Sequence, residues 1–217
     1  MMNWLWQLFD DPKISEAKLL KQLLRESPEL PEWSAAVQPV LTRLLTSNQI
    51  QRPMYIRVLT MPVMNAQALP YSTIVLAESL VEFCRNERDQ LAFVLAHEAA
   101  HIHLGHAKER SQANALATVL RVNPLIGIGV RMLFDRAFSR EQELEADRVA
   151  VTLCARAGYA PQAAIAFLTR LSVFASSPGG VGQLMSTHPL MKERIAQLRT
   201  VDGKRPTRTI SSEDVVL

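Results

Sequence analysis

Residues 97–101 read His-Glu-Ala-Ala-His. On a helix, positions four apart share one face, so His97 and His101 aim two imidazoles at one point. Two such nitrogens suit a zinc ion at about 2.0–2.1 Å. Glu98 cannot share that point, but its longer side chain can reach a water at the metal. The pattern therefore divides into two ligands and a general base, the chemistry of metal-assisted hydrolysis. The apolar run Leu91-Ala-Phe-Val-Leu-Ala96 leads into it, and the small Ala99 and Ala100 leave room around an ion.

A catalytic zinc needs a third protein ligand and one open position. The stretch Ser139-Arg-Glu-Gln-Glu-Leu-Glu-Ala-Asp147 supplies carboxylates on a helical pattern. Glu143 and Asp147 are four apart and share a face. Glu143 can ligate zinc, and Asp147 can accept a hydrogen bond from the far nitrogen of a ligating histidine. Glu141 and Glu145 point elsewhere. Taken alone, the stretch also reads as a solvated acidic face paired with Arg140 and Arg148. His188, in Ser186-Thr-His-Pro189, sits between a glycine-rich stretch and a helix containing Arg194. It can approach the metal, to stabilise an oxyanion or to occupy the open position in a resting form. His103 and His106 are expected to be structural. Cys84 and Cys154 are in no metal-binding spacing and read as two reduced thiols.

The order of these motifs resembles the gluzincin zinc metallopeptidases, the family of HtpX, BepA, LoiP, Oma and the CaaX prenyl protease. The matching residues are His97–His101, Glu143-Leu-Glu-Ala-Asp147, Thr187-His-Pro189 and Arg194-Ile195, with His106 at a recurrent position. Asn65-Ala-Gln-Ala-Leu-Pro70, ahead of the extended Ser72–Ala77, resembles the family's edge-strand region. The resemblance covers about residues 54–199. It implies one Zn2+ per chain held by His97, His101 and Glu143, with Glu98 as base. It places Asp147 and Arg194 behind the ligands and His188 near the metal. It also implies an edge strand, with Ser72, Thr73, Ile74 and Val75, that binds the substrate backbone. Tyr71-Ser72 stand where family members often carry glycine.

The elements that must position these residues are mostly helical. Helices are expected at Ile14–Glu26, capped by Ser15, and at Ser34–Thr46. Short extended segments follow at Met54–Thr60 and Ser72–Ala77, with Asn65–Pro70 as a loop between them. Further helices are expected at Glu87–Lys108, Ala113–Leu120, Leu125–Phe134, Ser139–Ala157, Pro161–Phe174 and Pro189–Arg199. Ser139 serves as an N-cap and Gly158 as a terminator. The expected fold is mainly α with a small β-sheet (α+β), a zincin-like metallopeptidase domain whose active-site helix carries the HExxH. Residues 1–50 form an N-terminal helical cap, 51–200 the metallopeptidase domain and 201–217 a disordered tail.

The chain has 217 residues, 48% hydrophobic and 21% charged, with a net charge of +3. That composition fits a globular fold and gives no support to nucleic-acid binding. Met1–Phe9 is a poor signal peptide, and no apolar stretch is long enough to span a bilayer; Leu116–Phe134 is interrupted by Arg121 and Arg131. The expected location is cytoplasmic, with peripheral membrane contact as an option. Polypeptides are the expected partners, and the oligomeric state is left open. The rival readings are a chaperone-like zinc protein that cleaves little, and a helical interaction protein whose HExxH is accidental.

Overall fold

The computed structural model describes residues 11–112, 138–175, 188 and 191–202. Met1–Phe9, the apolar Leu116–Phe134 with the helices expected there, the glycine-rich Ser176–Thr187 and the tail beyond Asp202 lie outside the described residues.

Helix α1 runs Pro12–Glu26 and α2 Pro31–Ser47. The α1 cap is Asp11, whose side chain accepts from the Lys13 N–H at 2.8 Å, not Ser15 as expected. The reason is local: Pro12 lacks an N–H and suits the first helical position, so the helix starts before Ser15.

The sheet has three strands, β1 (Tyr55–Leu59), β2 (Ala66–Ala68) and β3 (Thr73–Ala77), in the order β1-β3-β2. β1 and β3 are parallel, and β2 is antiparallel to β3. This corrects two expectations. Asn65–Pro70 is no plain loop, because its Ala-Gln-Ala forms β2; three residues with no β-branched or aromatic side chain give little strand signal. The extended segment holding Ser72, Thr73, Ile74 and Val75 is the middle of the sheet and not its edge. Both flanks of β3 are taken by neighbouring strands, and all five of its residues are buried.

Helix α3 (Glu78–Phe83) leads to α4 (Arg88–His103), which carries the HExxH. Every residue of α4 from Gln90 to Ile102 is buried. The helix was expected to continue to Lys108. It stops because Gly105 takes φ +81° and its N–H turns back to the Ile102 carbonyl at 3.2 Å. Left-handed backbone of that kind is natural for glycine and ends helices. Helical structure resumes at 106–112. Helices α5 (Arg140–Arg156), α6 (Ala163–Ala175) and α7 (Met191–Asp202) complete the described part. Ser139 opens α5 through a reciprocal cap with Gln142, and Gly158, at φ +74°, closes it.

The main core joins Leu41 and Leu44 of α2, Ile74 and Leu76 of β3, Phe93 and Leu95 of α4, Leu153 of α5 and Leu168 of α6. α2 thus belongs to the main core and does not form a separate cap with α1. α1 instead contributes Leu23 to a smaller cluster with Leu59, Leu69 and Val75. Cys84 and Cys154 are free and buried, and burial pushes each thiol up to about 12. Among the described residues no helix is long and apolar enough to cross a membrane.

At Gly158 a Cβ would be strained by φ +74° and would come within 2.8 Å of Arg43 Nη2. Gly158→Ala is expected to cost on the order of 1–2 kcal/mol, read as a lowered midpoint in urea unfolding.

Candidate metal centre and active site

α4 and α5 lie side by side and bring the two sequence motifs face to face. His97, His101, Glu143 and His188 each offer a ligand atom, and these atoms lie within 4.8 Å of one another. All four side chains are buried. His97 Nε2 stands 3.1 Å from His101 Nε2 and 3.3 Å from His188 Nδ1. Glu143 Oε1 stands 3.3 Å from His101 Nε2 and 2.9 Å from His188 Nδ1. Donors about 2.0–2.1 Å from a tetrahedral zinc are about 3.3 Å apart, so this spacing fits such an ion.

The tautomers strengthen the fit. Asp147 Oδ1 lies 2.9 Å from His97 Nδ1, and Arg194 binds Asp147 through both Nε and Nη2 at 2.7 Å. An ionised carboxylate can only accept, so Nδ1 carries the proton and Nε2 turns its lone pair inward. On the other side, His101 Nδ1 is 3.1 Å from His106 Nδ1, whose Nε2 is 3.4 Å from Glu145 Oε2. That relay leaves the His101 Nε2 lone pair directed at the same point. Two lone pairs 3.1 Å apart repel unless a cation lies between them. The donor set, two neutral imidazoles and a carboxylate with a third imidazole nearby, suits a divalent ion of zinc type.

The charges follow from burial and pairing. Burial alone would push the Glu143 carboxyl up, but the neighbouring His188 and Arg194, with the hydrogen bond from His188, outweigh it and hold it well below the usual carboxylate range. Arg194 Nη1 lies 2.9 Å from Glu143 Oε2. Asp147 is likewise opposed by burial and held low overall by Arg194 and His97. Burial dominates at His101 and pushes it well below the ordinary imidazole value. Burial also acts to lower His188, but Glu143 and Glu98 prevail and raise it.

Glu98 lies at the rim of this set. Its Oε1 is 3.4 Å from His188 Nε2, and its Oε2 accepts the Ala68 N–H of β2 at 2.7 Å. The residues singled out as ligands, base and supports thus meet in one place, whereas Ser72–Val75 do not face it as an edge. Leu69 N bonds Thr73 O and Ala77 N bonds Asn65 O. By strand alternation, Ala66 and Ala68 turn their backbone groups outward, toward α4. His103 is exposed.

Two residues escaped the sequence reading. Arg110 is buried, donates from Nη2 to the Ala68 carbonyl at 3.0 Å, and lies 4.0 Å over the Phe138 ring. Burial lowers its guanidinium to about 10, against the opposing pull of Glu98 and Glu143. Its one sequence signal is its place four residues after His106 on the next helix. Phe138 stacks on the His101 ring at 3.6 Å and 12°. It has no signal beyond preceding the Ser139 cap.

The profile of peptidase family M48 matches residues 31–202. The chain belongs to peptidase family M48. This M48 chain is 30% identical over 208 residues to the "Beta-barrel assembly-enhancing protease" of Escherichia coli O157:H7, covering 82% of this chain and 42% of that protein. It is 30% identical over 167 residues to "Metalloendopeptidase OMA1, mitochondrial" of Danio rerio, covering 67% of this chain and 35% of that protein. With the "Mitochondrial metalloendopeptidase OMA1" of Schizosaccharomyces pombe it shares 28% over 176 residues, covering 75% and 51%. The chain therefore spans well under two thirds of each of these relatives. It carries the metallopeptidase domain of the family.

Arg194→Leu leaves two carboxylates buried without their cation. On metal-free protein it is expected to cost about 3–5 kcal/mol in urea unfolding. Asp147 sits below its unfolded value, so its stabilising effect is present above the ordinary carboxylate range and is lost as pH falls through its folded value. Asp147→Asn is therefore expected to flatten the acid limb of stability against pH, below about pH 4.

Proposed function

We propose that the chain is a zinc-dependent metalloendopeptidase with His97, His101 and Glu143 as ligands and Glu98 as general base. The observation that carries this reading is the closeness of four buried donor atoms, all within 4.8 Å, with a Glu98 oxygen at their rim. Zinc bound there acts as a Lewis acid and brings the pKa of water toward neutrality. Glu98 Oε2 is held by the Ala68 N–H, which leaves Oε1 to take a proton from the attacking water. The same oxygen then delivers that proton to the leaving nitrogen. Asp147 and Arg194 keep His97 in one tautomer and one orientation throughout.

The substrate backbone is proposed to lie along β2, in place of the Ser72–Val75 edge expected from the sequence. An extended peptide would add to this edge through the outward backbone groups of Ala66, since those of Ala68 are held by Glu98 and Arg110. Main-chain pairing of this kind favours unfolded polypeptides over folded ones. Unfolded or membrane-associated polypeptides in protein quality control are the proposed substrate class, as the sequence resemblance to the gluzincin family implies. A cytoplasmic setting with peripheral membrane contact belongs to the same proposal and rests on sequence pattern alone.

His188 supports a refinement. Its Nδ1 stands within the donor set, 3.3 Å from His97 Nε2 and 2.9 Å from Glu143 Oε1. A fourth protein donor closes a tetrahedron, whereas a catalytic site keeps one position for water. We read this arrangement as a resting form from which His188 must withdraw. The closed set also favours a second reading, a chaperone-like zinc protein that binds polypeptides and cleaves little.

Glu98→Gln is expected to retain zinc while lowering casein cleavage by about 10²–10⁴-fold. Glu143→Ala is expected to weaken zinc binding about 10–100-fold or more. Cleavage by Glu98→Gln at the wild-type rate would reject the mechanism, and zinc retention without wild-type cleavage would favour the chaperone-like reading. His188→Ala at saturating zinc is expected to raise kcat/KM; a fall would make His188 an oxyanion donor instead.

A further inference from the structure

The family profile begins at residue 31, so α1 lies outside the matched region. Yet α1 makes a concentrated polar attachment to the sheet through Glu16. This carboxylate is 7% exposed. Its Oε2 accepts from the backbone N–H groups of Tyr71 at 2.7 Å, Ser72 at 2.7 Å and Thr73 at 3.3 Å. Its Oε1 accepts from the Ser72 hydroxyl at 3.1 Å and the Thr73 hydroxyl at 2.6 Å. A carboxylate has about four lone-pair sites, so one turn takes up the whole acceptor capacity of this side chain. Three successive N–H groups aimed at one anion form a concave cradle, and bonds to a charged acceptor are the stronger kind.

The turn that Glu16 holds is the one joining β2 to β3. Apolar packing reinforces the grip, since Leu19, Leu20 and Leu23 of α1 meet Leu59, Leu69 and Val75. Lys13 adds a cation over the Tyr71 ring at 5.0 Å. On its far side, β2 is tied to the active site by the Ala68 N–H on Glu98 and the Ala68 carbonyl on Arg110. β2 itself is three residues long. So short an edge strand has few ladder bonds with which to keep its own place. Its position is set by what grips the hairpin at the turn and at Ala68.

We propose that Glu16 is a positioning residue for the peptidase reaction: through Tyr71, Ser72 and Thr73 it fixes β2 as the docking edge for substrate. The proposal rests on the peptidase reading above. α1 is then a strap that makes the docking edge rigid. A bland alternative has Glu16 anchor α1 to the domain without affecting the edge. The two differ in what moves when Glu16 is changed. Loss of an anchor lowers Tm alone, whereas loss of a positioned edge weakens substrate binding and opens the β2 amides.

The test uses the full zinc-loaded chain with Glu16→Gln and Glu16→Ala. The amide of Glu16→Gln still accepts but without charge, and it preserves shape should Glu16→Ala fail to fold. The expected result is a KM for an unstructured peptide raised about five- to tenfold in Glu16→Ala and less in Glu16→Gln, with kcat within about twofold. Zinc content should stay at the wild-type level. Hydrogen exchange at Ala66 and Ala68 should quicken about tenfold while the buried amides of α4 keep their protection. A lowered Tm with KM and β2 exchange both at wild-type values would overturn the proposal. The exchange readout needs no turnover. A wild-type chain that binds zinc but cleaves nothing would therefore sink the peptidase reading and still leave the role of Glu16 in holding β2 decided.

Discussion

The active-site half of this protein depends on one buried ionic arrangement: the guanidinium of Arg194 between the carboxylates of Asp147 and Glu143. Burying charge is costly unless it is paired and fully hydrogen-bonded, and here α7 brings the cation that α5 requires. With Arg194 in place, Asp147 stays ionised and fixes the proton on His97 Nδ1. Glu143 stays ionised and presents its oxygens to the histidines. The inward lone pair of His97 follows from that pairing, and that of His101 from its contact with His106. They are not a property of the HExxH by itself.

Around this arrangement, α4 acts as the central rod. Its buried stretch from Gln90 to Ile102 leaves almost no solvent face, so each turn has a different neighbour. Phe93 meets α6 through Phe167, His97 and His101 meet α5, and Glu98 meets β2. A helix enclosed in this way cannot shift without disturbing several contacts at once, which keeps Glu98 fixed at the rim of the donor set. The contrast lies at Ala68. There the backbone of a three-residue strand is held by side chains, Glu98 and Arg110, and its turn by a third, Glu16. The rigid parts of the site are built on helices, and β2 is held in place from outside.

The HExxH and the Glu143–Asp147 spacing were legible because helical periodicity alone decides which residues share a face. Ser139 and Gly158 were legible because a cap and a left-handed terminator have local chemistry. The break at Gly105 was less so, since glycine within a helical pattern is compatible with continuation and only the φ of +81° marks it as an end. β2 was missed because Ala-Gln-Ala has no propensity to announce a strand. That omission misassigned the sheet's edge to Ser72–Val75. Arg110 and Phe138 act through contacts to residues from other elements, with the His101 ring stacked on Phe138 and the Ala68 carbonyl bound by Arg110.

By itself, then, the sequence determined the residue types of a metal site, their grouping on two helices and the family to which that grouping is similar. These are consequences of spacing within single elements. Tertiary structure alone decided that α5 would face α4, that His188 would enter the donor set, and that β2 and not β3 would border Glu98. It also decided that Glu16, some fifty-five residues before the turn it holds, would matter to the sheet. Such pairings depend on packing between elements distant in the chain, and no periodicity within one element encodes which partner it will meet.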